Sequence, residues 1–192
     1  ELGPTVAQYA RDVHAFVDGH DLDDVVLVGW SLGALVSWEY VAKFGTDRIR
    51  ALVDVDMEPA PGQWVDGDGG TYDPARLREI NAGIQSDHWS FVDDVIDRVL
   101  KDPPSDQLRT TMFDEMTRCP PAIKSAIIVD ATMREYRDVL PDVDVPVLVC
   151  AGADEKWRSV AAVEETAELV PDARFERFPE SGHDLTVEEP ER

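Results

Sequence analysis

The sequence predicts an α/β fold, a mostly parallel sheet flanked by helices on both faces, with a helical segment inserted between two of its strands. Three observations carry this. Short apolar runs alternate with stretches of helical periodicity, the pattern left by parallel strands joined through helical crossovers. A serine between glycines, Gly29-Trp30-Ser31-Leu32-Gly33, follows the apolar run Val25-Val26-Leu27-Val28 and precedes a helical stretch. Residues 58–140 break the alternation with several helical patterns in succession.

Taken in order, Thr5 and Gln8 have the spacing of a capping box, and Val6, Tyr9, Ala10, Val13, Phe16 and Val17 recur at helical period, which predicts an amphipathic helix over 6–18. The acidic run Asp21 to Asp24 turns the chain into a strand over 25–29. A helix then runs from Leu32 to Phe44 and stops at Gly45. Strands follow at Ala51–Val55, Val145–Cys150 and Arg174–Phe178, with an alanine- and glutamate-rich helix over 160–170 between the last two. The insertion opens with a loop rich in proline and glycine, Glu58 to Pro74, and predicts helices near 75–84, 88–100, 105–117 and 121–139. Residues 1–57 and 141–192 are thus expected to form the core, with 58–140 a cap over the C-terminal edge of the sheet. Trp64, Trp89, Phe91, Met112, Phe113, Met116 and Met133 are candidates to line a pocket under that cap, although such residues more often simply pack.

The 192 residues suit a single domain. Forty acidic residues against eighteen basic ones give a formal charge of −22, which repels phosphate backbones and argues against a nucleic-acid partner. The acidity is spread along the chain, and lysine is sparse. That combination suggests a halophilic surface, whose self-repulsion concentrated salt would screen. No apolar run is long enough to span a bilayer and no signal peptide is visible, so a soluble, cytoplasmic protein is expected. Cys119 and Cys150 cannot build a disulfide framework. Asp66, Asp68 and Asp73 around Gly67, Gly69 and Gly70 only faintly resemble a calcium loop, because the ligand spacing and the closing glutamate are missing. Neither a zinc-ligand cluster nor a phosphate-binding loop is present, so no metal or other cofactor is implied.

The chemistry-bearing residues start at the bend. A serine hydroxyl is a poor nucleophile until a sharp strand-to-helix turn presents it beside a base, and a serine serving only as a helix cap would not need glycine on both sides. Gly29, Trp30 and Gly33 would build that turn around Ser31, and the Leu32 amide at the helix N-terminus would face a developing oxyanion. His183, in Ser181-Gly182-His183 after the final strand, is the candidate base, since its loop leaves the same edge of the sheet. His14, His20 and His88 lie elsewhere. Asp56 after the second strand and Asp154 and Glu155 after the third offer carboxylates that could orient the imidazole, and their order along the chain does not choose among them.

Several segments together resemble the α/β-hydrolase fold, in particular its esterase and non-haem haloperoxidase-like branch. They are Val28-Gly29-Trp30-Ser31-Leu32-Gly33, Leu52 to Pro59, Val145 to Gly152, and Ser181-Gly182-His183 followed by Glu188 to Arg192. The resemblance implies Ser31 as nucleophile, His183 as base and an acid at Glu155, with Asp154 beside it. Some members place the acid after the preceding strand, which corresponds to Asp56. A glutamate where that family expects aspartate tilts the choice toward Asp56, with Asp154 next. The chain lacks the earlier strands and the last helix of that pattern, so it reads as a piece of the fold, with the second oxyanion donor outside it. The implied activity is hydrolysis of a small ester or related acyl compound. The alternative on the same scaffold is a cofactor-free oxygenase or perhydrolase that relies on the histidine and acid.

Overall fold

Strands Val25–Trp30 (β1), Ile49–Val55 (β2), Val147–Gly152 (β3) and Ala173–Phe178 (β4) form one all-parallel sheet in the order β1-β2-β3-β4. The structure is a computed structural model that describes residues 3–64 and 70–192. Val28, Val53, Leu148 and Arg174 stand in register across the four strands. All the strands point the same way, so Ser31, Asp56, Glu155 and the loop carrying His183 emerge at one edge.

Sequential strand order has a consequence for the faces. Right-handed crossovers made always in the same direction put every connecting helix on the same side. The crossover helices Leu32–Phe44 (α2) and Val160–Leu169 (α7) accordingly share one core with Leu27, Leu52, Val149, Ala151 and Phe175, and helix Val6–Gly19 (α1), ahead of β1, joins it. The opposite face carries a smaller cluster, Val53, Val55, Leu148, Cys150 and Phe178, met by Leu185 of the short helix Leu185–Glu188 (α8). Val28 is 67% exposed there. Helices flank the sheet as expected, but unevenly: among the described residues one face has three long helices and the other a single turn.

In α1 the Thr5 hydroxyl accepts from the Gln8 amide, whereas the Gln8 side chain bonds Asp12, so only half of a capping box forms. Phe16, expected on the apolar stripe, faces outward. Trp38 of α2 lies at the centre of the core and donates from Nε1 to Asp54 Oδ2 at 2.7 Å. Burial pushes the Asp54 carboxyl up to about 7, with the Trp38 bond opposing.

Between β2 and β3 come Pro74–Ser86 (α3), His88–Val99 (α4), Asp106–Arg118 (α5) and Pro121–Thr132 (α6). Asp73, Asp87 and Ser105 cap the first three by accepting backbone N–H bonds. α3 packs on α4 and α6, and α5 lies outermost against α4. The last helix ends at Thr132 rather than near 139. Beyond it the Tyr136 amide donates to Pro59 O and the Tyr136 hydroxyl to buried Glu39, contacts that draw the chain back onto the core. The weak calcium-like reading at Asp66, Gly67, Asp68 and Gly69 lies outside the described residues, while Asp73 is spent on the α3 cap.

Candidate active site

Ser31 sits at the bend with φ 53° and ψ −117°, a left-handed conformation that costs a non-glycine residue about 1–3 kcal/mol. Its amide donates to Val55 O at 2.8 Å, which ties the bend to β2, and its side chain makes no helix-capping bond. The hydroxyl is therefore not engaged as a cap. A Cβ at Gly29 would lie 2.5 Å from the backbone of Gly33 and Ala34, so strand and helix could not approach as they do with any other residue there. Gly33 meets nothing within 4 Å and is not required by space, contrary to the sequence expectation. Leu32, as the first residue of α2, has an amide with no acceptor inside the helix.

His183 is buried, 3% exposed, and its loop is fixed at several points. Its amide donates to Val99 O at the end of α4, and its carbonyl accepts from Trp30 Nε1 at 2.8 Å. The Trp157 ring stands edge-on to the imidazole, with centroids 4.8 Å apart. The second residue of the serine motif, Trp30, thus helps to position the histidine.

Two carboxylates converge on one nitrogen. Glu155 Oε2 lies 2.6 Å from His183 Nδ1 and Asp56 Oδ2 lies 3.3 Å from it. Asp154 is not brought there: its half-exposed carboxylate pairs with Lys101 Nζ at 3.0 Å. Arg158, almost wholly buried, donates to the Asp56 carbonyl at 2.6 Å and to Glu58 Oε1 at 3.3 Å, and its Nη1 comes within 3.5 Å of His183 Nδ1. Asp56 has φ 55°, and its buried Oδ1 has no partner.

These surroundings separate the two acids. Burial pushes the Asp56 carboxyl above its ordinary range, although its bond to His183 opposes the rise. Burial acts in the same direction on Glu155, but the His183 bond, Arg158 and the Trp157 amide together hold it below the usual range. Burial lowers the His183 pKa while Asp56 and Glu155 raise it, and the two carboxylates prevail. An ionised Glu155 at 2.6 Å calls for a proton on Nδ1, which leaves Nε2 as the lone-pair nitrogen.

Ser31, Leu32 and His183 share a cavity of about 750 Å³ with Trp30, Trp157 and residues of α3, α4, α5 and α6. Of the seven aromatic and methionine candidates in the insertion, Phe91 and Met116 line it. Trp64 instead donates to Thr132 O, Trp89 and Met133 are largely exposed, and Phe113 lies tilted against Trp89. The ligand atoms of Asp56, Glu155 and His183 lie within 4.8 Å of one another, a spacing that also suits a metal ion. The Arg158 guanidinium beside the same nitrogen would repel a cation, and Glu155 is already engaged with the imidazole, so the group does not fit a metal.

The sequence reading missed Arg158, Glu58 and Trp157. Nothing in the pattern around Arg158 distinguishes it from arginines paired at the surface, and only its burial reveals it.

A family model described as the alpha/beta hydrolase family matches residues 2–192. The chain belongs to the alpha/beta hydrolase family. Within that family it is 28% identical over 187 residues to a pimeloyl-[acyl-carrier protein] methyl ester esterase of Aromatoleum aromaticum, an alignment covering 88% of this chain and 70% of the relative. It is 24% identical to a putative non-heme chloroperoxidase of Synechocystis, over 85% of this chain and 60% of that protein. Among solved structures, an esterase from Exiguobacterium antarcticum superposes with a TM-score of 0.94 at 19% identity, over 99% of this chain and 71% of the other. A bromoperoxidase from Bacillus anthracis gives 0.93 at 21%, with the same coverage. No helix among the described residues is long and apolar enough to cross a membrane.

Proposed function

We propose that this hydrolase cleaves small carboxylic esters through a covalent acyl-enzyme on Ser31. His183 Nε2 takes the Ser31 proton as Oγ attacks the ester carbonyl, and the same imidazolium then protonates the departing alkoxide. The Leu32 amide stabilises the oxyanion of the tetrahedral intermediate. Water, deprotonated by His183, attacks the acyl-enzyme, releases the acid and regenerates Ser31. Glu155 holds the ring through Nδ1 and offsets its charge while it is protonated. Asp56 stands behind it as a second carboxylate, and Asp154 has no part. Residues 58–140 act as the cap that selects the acyl group.

The observation that carries this reading is the 2.6 Å contact between Glu155 and His183 Nδ1, with the opposite side of the ring available to a cavity that Ser31 also lines. The two relatives named as peroxidases favour a second reading, in which hydrogen peroxide replaces water as acceptor of the same acyl group. Both routes need the serine. Ser31→Ala is expected to lower hydrolysis of p-nitrophenyl butyrate by roughly a thousandfold or more and to abolish labelling by a fluorophosphonate. Retention of the wild-type rate rules out the acyl-enzyme. Peracid formation with peroxide in excess, outpacing hydrolysis, supports the second route.

A further inference from the structure

In a chain with forty acidic residues, cations find partners easily. Most of the basic residues are held in ion pairs. The remainder are accounted for in other ways: Arg11 bonds Gln8, Lys156 Nζ bonds the carbonyls of Asp97, Leu100 and Lys101, Arg78 and Arg177 are exposed to water, and of the two that also line the cavity Arg76 lies over the Tyr72 ring and Arg98 is exposed to water. Lys124 is the exception. It is half-buried in the first turn of α6 and lines the cavity, and its ammonium has no hydrogen bond or ion pair among the described residues. Burial lowers its pKa, the mark of a charge whose lost hydration nothing has replaced. His88, the first residue of α4, lies close enough for the Lys124 charge to lower its own pKa, and its buried Nε2 also lacks a partner. The carboxylates that line the same cavity, Glu79, Asp87 and Asp94, are exposed, and Asp87 is engaged with Ser90.

The wall leading away from Lys124 is apolar. Ile127, Ile128 and Ala131 follow at helical spacing and line the cavity with it, giving an apolar stripe on the order of 10 Å long with a positive charge at one end. Such a surface complements a ligand with an aliphatic body and an anionic head.

We propose that the Lys124 end of the cavity binds the free carboxylate of an ester whose acyl arm is aliphatic, so that the substrates are half-esters of dicarboxylic acids. The arm lies along Ile127, Ile128 and Ala131, and the ester carbonyl at its other end meets Ser31. This deepens the esterase reading and, as a statement about catalysis, rests on it.

The test compares p-nitrophenyl hydrogen suberate with p-nitrophenyl octanoate, esters of the same chain length that differ in the terminal carboxylate. In Lys124→Met the ratio of kcat/KM for the anionic ester to that for the neutral one is expected to fall about tenfold, mainly through KM, the loss of one charge-assisted contact. Lys124→Arg should restore most of the ratio, and Arg78→Met, on the solvent side of α3, should leave it at the wild-type value. An unchanged ratio in Lys124→Met overturns the proposal. If the wild-type protein hydrolyses neither ester, the reading of Ser31 has failed, and calorimetric titration with monomethyl suberate decides the site separately. Binding weakened about tenfold in Lys124→Met supports the anion site, and equal or absent binding in both proteins removes it.

Discussion

Glu155 and Asp56 reach the same imidazole nitrogen from two different strand ends, at 2.6 Å and 3.3 Å. Each anion favours the protonated ring, so together they move the acid limb of kcat/KM upward in pH, because the base must be neutral to accept the Ser31 proton. Removing either carboxylate should therefore shift that limb toward lower pH. In Asp56→Asn the shift is expected with a loss of less than about tenfold, since Glu155 still holds the ring. Glu155→Gln should cost about a hundredfold, with Asp56 as a substitute, and the double variant about 10⁴-fold. Rate–pH profiles of the three variants check this, and a larger loss from Asp56→Asn than from Glu155→Gln would reverse the assignment. The sequence could single out Ser31 and His183 as candidates because Ser31 stands between Gly29 and Gly33 after an apolar run, and His183 follows Gly182 in the loop after the last strand. It could not single out the acid: three carboxylates lie within a loop's reach of the histidine, and only side-chain geometry sends Asp154 to Lys101 and Glu155 to the ring.

At the scale of elements, one tight constraint is the approach of β1 to α2. Gly29→Ala would drive a methyl group into backbone atoms at 2.5 Å that cannot rotate aside. The expected result is destabilisation of about 2 kcal/mol or more together with displacement of Ser31 and loss of ester hydrolysis. Gly33→Ala meets open space within a helix that favours alanine, so stability should hold or rise slightly. Denaturant unfolding of the two variants tests the contrast, and equal effects would show that the motif's glycines act through something other than space. Strands and helices were legible to within a few residues because each carries its own periodicity. The coverage of the sheet was not, since alternation reveals parallel strands but not their lateral order, and it is the order that placed α2 and α7 on one side. The end of α6 was equally hidden, being set by Tyr136 reaching Pro59 and Glu39 far away in sequence.

The chain has a formal charge of −22, and its ion pairs show how that charge is arranged. Arg48 alone faces Asp18, Asp21 and Asp23, so its single positive charge sits among acids that still repel one another. In dilute buffer the Debye length is about 30 Å at 0.01 M and the repulsion acts across most of the molecule, whereas at 0.1 M it is about 10 Å and at 1 M about 3 Å. Unfolding separates the charges, so the folded state is the one that screening favours. The urea midpoint should accordingly rise steeply between 0.01 and 0.3 M potassium chloride and flatten beyond, as the screening length falls below the spacing of the surface charges. Salting-out of apolar groups would instead raise it in proportion to salt and continue into the molar range. A midpoint indifferent to salt below 0.3 M would mean that the acidic surface is already balanced locally, and the halophilic reading would then have no physical basis in this fold.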